Sequence, residues 1–214
     1  MTRWMAHAMI VTVFALIGAT LANPDAGGPG SGTVSSSAEL AARLAQIADA
    51  QAERRVASEL RSLYAAIEPF RDVALALEAG YGPATRCMVS DLGAQGIHYA
   101  NDALFGTELA AETPQLLMYE PRPDGTLQLV GVEYLVFQAA WHAAGFAERP
   151  SLFGQTFAAN DVVLDEPVYL LHVWIVQFNP AGLFADWNPV VDCSFDEAAA
   201  PPTLHGGRAR AVAN

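Results

Sequence analysis

The period of the apolar residues changes once along this chain, near Ala84, and that change sets the order in which helix and sheet are laid down. Upstream, Ser36-Ser37-Ala38-Glu39 has the spacing of a capping box and opens a 3.6-residue repeat of Leu40, Leu44, Ile47, Val56, Leu60, Leu63 and Ile67. A long amphipathic helix is predicted there, lying across one face of a sheet. Pro69 either kinks it or, at a first helical position, opens a second helix through Phe70, Val73 and Leu77 that stops at Gly80. Downstream the period is two. Strands are predicted at Thr85–Val89, Gly96–Ala100, Gln115–Glu120, Leu127–Phe137 and Val168–Phe178, with Pro123-Asp124-Gly125 as the hairpin turn between the third and fourth. A short helix over Gln138–Phe146 and an irregular stretch from Pro150 to Pro167 separate the last two strands. The fold class that follows is α+β, an N-terminal helical segment packed on a mostly antiparallel β-sheet, in one domain spanning residues 38–193.

The ends of the chain read differently. Met1 to His7 carries one cation, Arg3, and an apolar run from Ala8 to Ala19 precedes small residues Thr20 and Ala22. That is the pattern of a signal peptide over residues 1–22, and the run is shorter than the roughly 20 residues of a spanning helix. A Gly/Ser/Pro-rich linker over 23–37 and a disordered tail over 194–214 flank the domain. The expected location is outside the cytoplasm, in the periplasm or the medium, with no membrane attachment after cleavage.

In an oxidising compartment Cys87 and Cys193 are expected to form one disulfide. Closing a loop of roughly 100 residues stabilises a fold by about 4 to 5 kcal/mol in the chain-entropy picture. A thiolate metal pair or a redox pair is the alternative, and it lacks the CxxC spacing. All cations are arginine and the formal charge is −12. Such an acidic chain is a poor match for nucleic acid or an anionic membrane surface.

Three polar residues stand alone in apolar strands: His98 in GIHYAN, Glu133 in LVGVEYLVF and His172 in VYLLHVWIVQF. Each needs a partner, because a buried polar group without one is destabilising. Strand alternation points His98 away from Ile97 and Tyr99. It places Glu133 with Gly131, Leu135 and Phe137, and His172 with Leu170, Trp174 and Val176. Gly96, Ala100 and Gly131 are expected to leave room beside His98 and Glu133. Two imidazoles and a carboxylate are a ligand set for a divalent transition metal, zinc, copper or iron, with coordination positions left open. His98 and Glu133 without metal would make an acid/base pair, and all three could equally be a satisfied core network. The expected function is an exported protein that binds a small molecule or a transition-metal ion. The alternatives are a metal-dependent or acid/base enzyme of hydrolase, lyase or oxygenase type on the same residues, and a structural or interaction module. No residue is assigned a catalytic role. His142 in AAWHAAGF reads as a rim residue, His205 as a solvated one, and Asn101-Asp102 as a turn close enough to His98 to orient it.

GIHYAN, VGVEY, SLFGQTF, LHVW and the ending from Asn179 to Cys193 (NPAGLFADWNPVVDC) together resemble a family of exported bacterial proteins. Its motifs are GIHY or GMHY, a VEY strand, LHVW and NPxGxFxxWNPxVxC. The resemblance covers about Phe70 to Cys193 and implies membership without a reaction. His98, Glu133, His172, Trp174, Trp187 and both cysteines fall on its motifs. The chain departs from the pattern at Phe178 and Ala158, where members of the family often carry histidine.

Overall fold

The computed structural model describes residues 36–196 except 162, 163 and 165; the signal-peptide reading, nearly all of the linker and the tail beyond Asp196 lie outside them. The chain divides into two compact units, residues 1–42 and 43–214. In the first of these the described residues are the start of helix α1 (Ser37–Ile67), where Ser36 Oγ accepts the Glu39 backbone N–H, the N-terminal half of the predicted capping box.

Within residues 43–214, α1 buries Leu63 and Ile67 and packs Val56 and Leu60 against the core, while Leu44 and Ile47 stay exposed. The predicted coverage of the sheet therefore applies only to the C-terminal half of the helix. Pro69 neither kinks α1 nor opens the next helix. It sits in a 3-10 turn, Glu68–Arg71, and helix α2 (Val73–Glu78) starts behind Asp72, whose carboxylate accepts the Ala74 N–H at 3.0 Å. Paired backbone bonds from Gly80 to Leu77 and from Tyr81 to Ala76 close α2 where the sequence placed its end.

The strands are β1 (Gly82–Pro83), β2 (Met88–Ser90), β3 (Gly93–Ala100), β4 (Leu116–Pro121), β5 (Leu127–Phe137), β6 (Ser151–Leu152), β7 (Gln155–Thr156), β8 (Ala158–Asn160) and β9 (Val168–Val173). A seven-stranded sheet has the order β1-β3-β4-β5-β9-β8 with β2 also on β3; β6 and β7 form a separate hairpin, and every pairing is antiparallel. The fold is thus α+β with one disulfide, Cys87–Cys193, as the sequence predicts. The Pro123-Asp124-Gly125 turn is present, with Gly125 N–H donating to Arg122 O at 2.9 Å.

Several boundaries differ for identifiable reasons. The predicted strand Thr85–Val89 survives only from Met88, because Ala84 and Thr85 turn aside to bond His98. Strand β3 begins earlier than Gly96, at Gly93, since Val89 and Ser90 pair with Ala94 and Gly93. β4 runs one residue later than Gln115–Glu120. β9 ends at Val173 rather than Phe178, because the Trp174 N–H donates to Leu183 O and the Gln177 N–H to Val130 O. Helix α3 (Gln138–Ala143) stops short of Phe146, whose ring folds back to stack on Trp141 at 4.1 Å. The stretch Pro150–Pro167, expected to be irregular, supplies β6, β7 and β8, each too short to show a period. Ser194 to Asp196, assigned to the tail, is tied down by the Asp196 carboxylate, which accepts the Cys87 N–H at 3.0 Å.

Residues directly opposed across paired strands share a face. Ile97, Tyr99, Leu117, Tyr119, Val132, Tyr134, Val136, Tyr169, Leu171 and Val173 form one face, and with Leu63, Ile67 and Ala76 of the helices they make the main core. Three of its tyrosines donate to carbonyls, Tyr81 to Pro114, Tyr119 to Phe70 and Tyr134 to Ala111, at 2.6–2.7 Å. The opposite face carries two smaller apolar clusters. One is Leu116, Leu135, Val168 and Leu170; the other is Ala94, Met118, Val130, Trp174 and Val191. Among the described residues no helix is long and apolar enough to cross a membrane.

Candidate metal centre

His98, Glu133 and His172 lie on that opposite face, between its two apolar clusters. The register accounts for it: His98 opposes Met118, Leu116 opposes Glu133, and Glu133 opposes His172. His98 and Glu133 thus reach toward each other over β4. The three residues are 2, 6 and 3% exposed, and one ligand atom from each falls within 4.8 Å of the others. His98 Nε2 stands 3.2 Å from Glu133 Oε2, and His172 Nε2 stands 3.9 Å from the same oxygen. Ligands bound at 2.0–2.2 Å to one ion stand roughly 3.1–3.5 Å apart, so two edges of the triangle are within a few tenths of an ångström of coordination distance.

Neither contact is an aligned hydrogen bond. His98 Nε2 and both ring nitrogens of His172 are buried without a hydrogen-bond partner among the described residues. Buried polar atoms left this way are rare and call for an explanation such as an ion or a water.

The outer nitrogens of the two rings face oxygen. His98 Nδ1 lies 3.2 Å from Thr85 Oγ1, which also accepts the His98 backbone N–H at 3.0 Å. The Ala84 N–H donates to His98 O at 2.7 Å, so the connection between β1 and β2 closes the edge of β3 at His98 and fixes its ring. With Nδ1–H directed at Thr85, His98 would present the Nε2 lone pair to the centre. His172 Nδ1 lies 3.7 Å from Asp186 Oδ1, longer than a hydrogen bond, and its ring stacks on Trp174 at 6.5 Å. Asp186 is carried by the segment after β9, which folds back over this face: Trp174 Nε1 donates to Ala185 O at 2.6 Å, Gln95 Nε2 to Asp186 O at 2.9 Å, and Ala94 bridges to Asn188.

Burial alone would raise the Glu133 carboxyl, but the His172 charge and the His98 contact outweigh it and hold the group below its ordinary range. Asp186 is likewise lowered, by its His172 contact foremost, against some burial. A depressed folded-state pKa means stability that is fully present above the ordinary carboxylate range and lost as pH falls through the lower folded value. In ion-free protein the melting temperature should therefore fall on going from about pH 6 to about pH 3, and Glu133→Gln should flatten that dependence. Parallel melting curves for the two proteins would contradict it.

The glycines beside the trio do not leave the room expected of them. Gly96 has φ +85°, and a Cβ there would stand 2.5 Å from Tyr119 O; at Gly131 a Cβ would stand 2.8 Å from both Met118 Cε and Val173 O. Neighbouring strands fill the space, so these glycines permit close backbone approach rather than a pocket. Gly96→Ala is expected to destabilise the fold by about 2 kcal/mol or more. Denaturant titration checks this, and a loss within measurement error would mean the strand relaxes freely.

Of the other polar residues, His142 is exposed and engaged at both nitrogens, with Phe146 O at 2.8 Å and Tyr169 Oη at 2.9 Å. Asn101 serves the turn: its Oδ1 accepts the Ala103 N–H and its Nδ2 donates to Ala79 O, so it does not orient His98. His205 lies outside the described residues. Ala158 opposes Leu170 and so projects on the face of His172. Phe178 is exposed.

Thr85 and Asp186 are the site residues that sequence reasoning missed. Thr85 looked like one more strand residue. Asp186 had as its signal only a lone acid between Phe184 and Trp187, at an unspecified position of the NPxGxFxxWNPxVxC pattern. No protein-family model, curated protein or solved structure matches the chain. The site's own chemistry is therefore the ground for any functional reading.

Proposed function

We propose that the protein binds one divalent transition-metal ion through His98 Nε2, His172 Nε2 and the Glu133 carboxylate. The observation that carries this is the pair of buried imidazole Nε2 atoms without a hydrogen-bond partner among the described residues, gathered around one carboxylate within coordination distance. Nitrogen ligands favour zinc, copper or iron(II) over calcium or magnesium, and a two-histidine, one-carboxylate set leaves positions open on any of them. The enclosure of the nitrogens suits a bare ion better than a molecule of several atoms, so ion binding is preferred here to small-molecule binding or turnover. Export is part of the same proposal, and a disulfide between Cys87 and Cys193 and the signal-like N-terminal sequence support it.

A second reading takes the 3.2 Å contact of His98 with Glu133 as an ion pair that needs no metal, holding β3 to β5 across β4. Titration of chelator-treated protein with zinc separates the two. Metal binding should saturate at one equivalent and raise the melting temperature, by about 2.7 kcal/mol of added stability at a hundredfold excess over Kd. Saturation without any thermal shift, or no saturation, favours the metal-free ion pair.

A further inference from the structure

We propose that Asp186 is the outer carboxylate of this centre, orienting His172 through its Nδ1–H and supplying the second negative charge that a buried divalent ion requires. The proposal builds on the reading of His98, Glu133 and His172 as a metal centre and adds a residue outside that triangle.

The first ground is geometry. His172 has its Nε2 toward Glu133 and its Nδ1 toward Asp186 Oδ1, at 3.9 and 3.7 Å, and among the described residues neither nitrogen has another partner. A ligating histidine ordinarily donates its other ring N–H to a carboxylate, carbonyl or hydroxyl, which sets the tautomer and strengthens the donor nitrogen. For His98 that part is filled by Thr85 Oγ1 at 3.2 Å. Asp186 is the counterpart for His172, and a closure of under about 1 Å brings Nδ1 to hydrogen-bond distance.

Charge is the second ground. Two neutral imidazoles and one carboxylate leave a divalent ion with a net positive charge, which is costly in an interior where the ligands are almost wholly buried. Asp186 cancels it from one ring away. Its side chain is 62% exposed, so without an ion at the centre the carboxylate is stabilised by water as well as by His172. Its backbone does not drift, because Gln95 Nε2 holds Asp186 O and Trp174 Nε1 holds the Ala185 carbonyl. The side chain is thus presented by a fixed main chain, as a positioning residue needs.

The test compares wild type, Asp186→Asn and Asp186→Glu as full-length, disulfide-intact proteins. Zinc affinity is measured by chelator competition, coordination by the cobalt(II) absorption spectrum, and folding by the melting temperature without metal. Asp186→Asn should still bind one ion but roughly 10- to 100-fold more weakly. Its cobalt spectrum should shift and Asp186→Glu should recover part of the affinity, while the metal-free melting temperature falls only by the small amount that losing a largely exposed carboxylate contact to His172 allows. Equal zinc affinity in wild type and Asp186→Asn would overturn the role of Asp186 while leaving the three-ligand centre standing. Weaker binding matched by a lower metal-free melting temperature, without recovery in Asp186→Glu, would assign Asp186 to packing and also overturn it. A wild type that binds no zinc or cobalt would remove the centre itself, and the role of Asp186 with it.

Discussion

Breaking the Cys87–Cys193 bond is expected to lower the unfolding free energy by about 4 to 5 kcal/mol, a third or more of what a domain of this size usually has. The bond spans 106 residues of sequence, so its removal frees a large closed loop in the unfolded state. It also has a local role. Cys87 belongs to the main core, while Cys193 packs against that core and against the cluster of Met118 and Trp174 on the other face. The bond therefore pins the end of the segment that folds back over the histidines and carries Asp186. Denaturant titration of the Cys87→Ser, Cys193→Ser double variant against wild type measures the effect. A loss below about 1 kcal/mol would mean that packing of the 174–193 segment, rather than the bond, holds the two ends together.

The second large effect concerns the ligands. Structural zinc sites of four ligands bind with about 10–16 kcal/mol, or roughly 2.5–4 kcal/mol per ligand, so His172→Ala is expected to weaken zinc binding on the order of 10²- to 10³-fold. His98→Ala should do the same, since both rings offer a buried, unpartnered Nε2. His142→Ala is the control: its nitrogens are already taken by Phe146 and Tyr169, so zinc affinity should not change. Isothermal titration of the three variants checks the order, and equal affinity in His142→Ala and His172→Ala would place any bound ion elsewhere.

The parts of this molecule that follow from periodicity were legible in the sequence. The helix-to-sheet switch near Ala84, strand β5 at its full length and the turn at Pro123 to Gly125 all depend on neighbours within a few residues. The trio was legible for a different reason: a lone His or Glu in an apolar strand has few ways to be satisfied, and strand alternation allowed the three to share a face. Partner changes made by the backbone were not legible. Nothing in LLHVWIVQF says that Trp174 leaves β5 for Leu183, and nothing near Thr85 says that its hydroxyl will take the His98 N–H in place of a strand bond. Asp186 reaches His172 only through that same fold-back. Glycine is ambiguous in principle, since the missing Cβ serves either a cavity or a close approach, and Gly96 and Gly131 serve the second.

The most direct measurement is the metal content of the untagged, disulfide-bonded protein as purified. The account predicts close to one zinc, copper or iron per chain in the wild type and in His142→Ala, and a small fraction of that in His98→Ala and His172→Ala. Trace metal in the wild type, unaltered in the histidine variants and with no rise in melting temperature on adding zinc, copper or iron(II), would contradict it and leave His98, Glu133 and His172 as a buried network that holds the sheet.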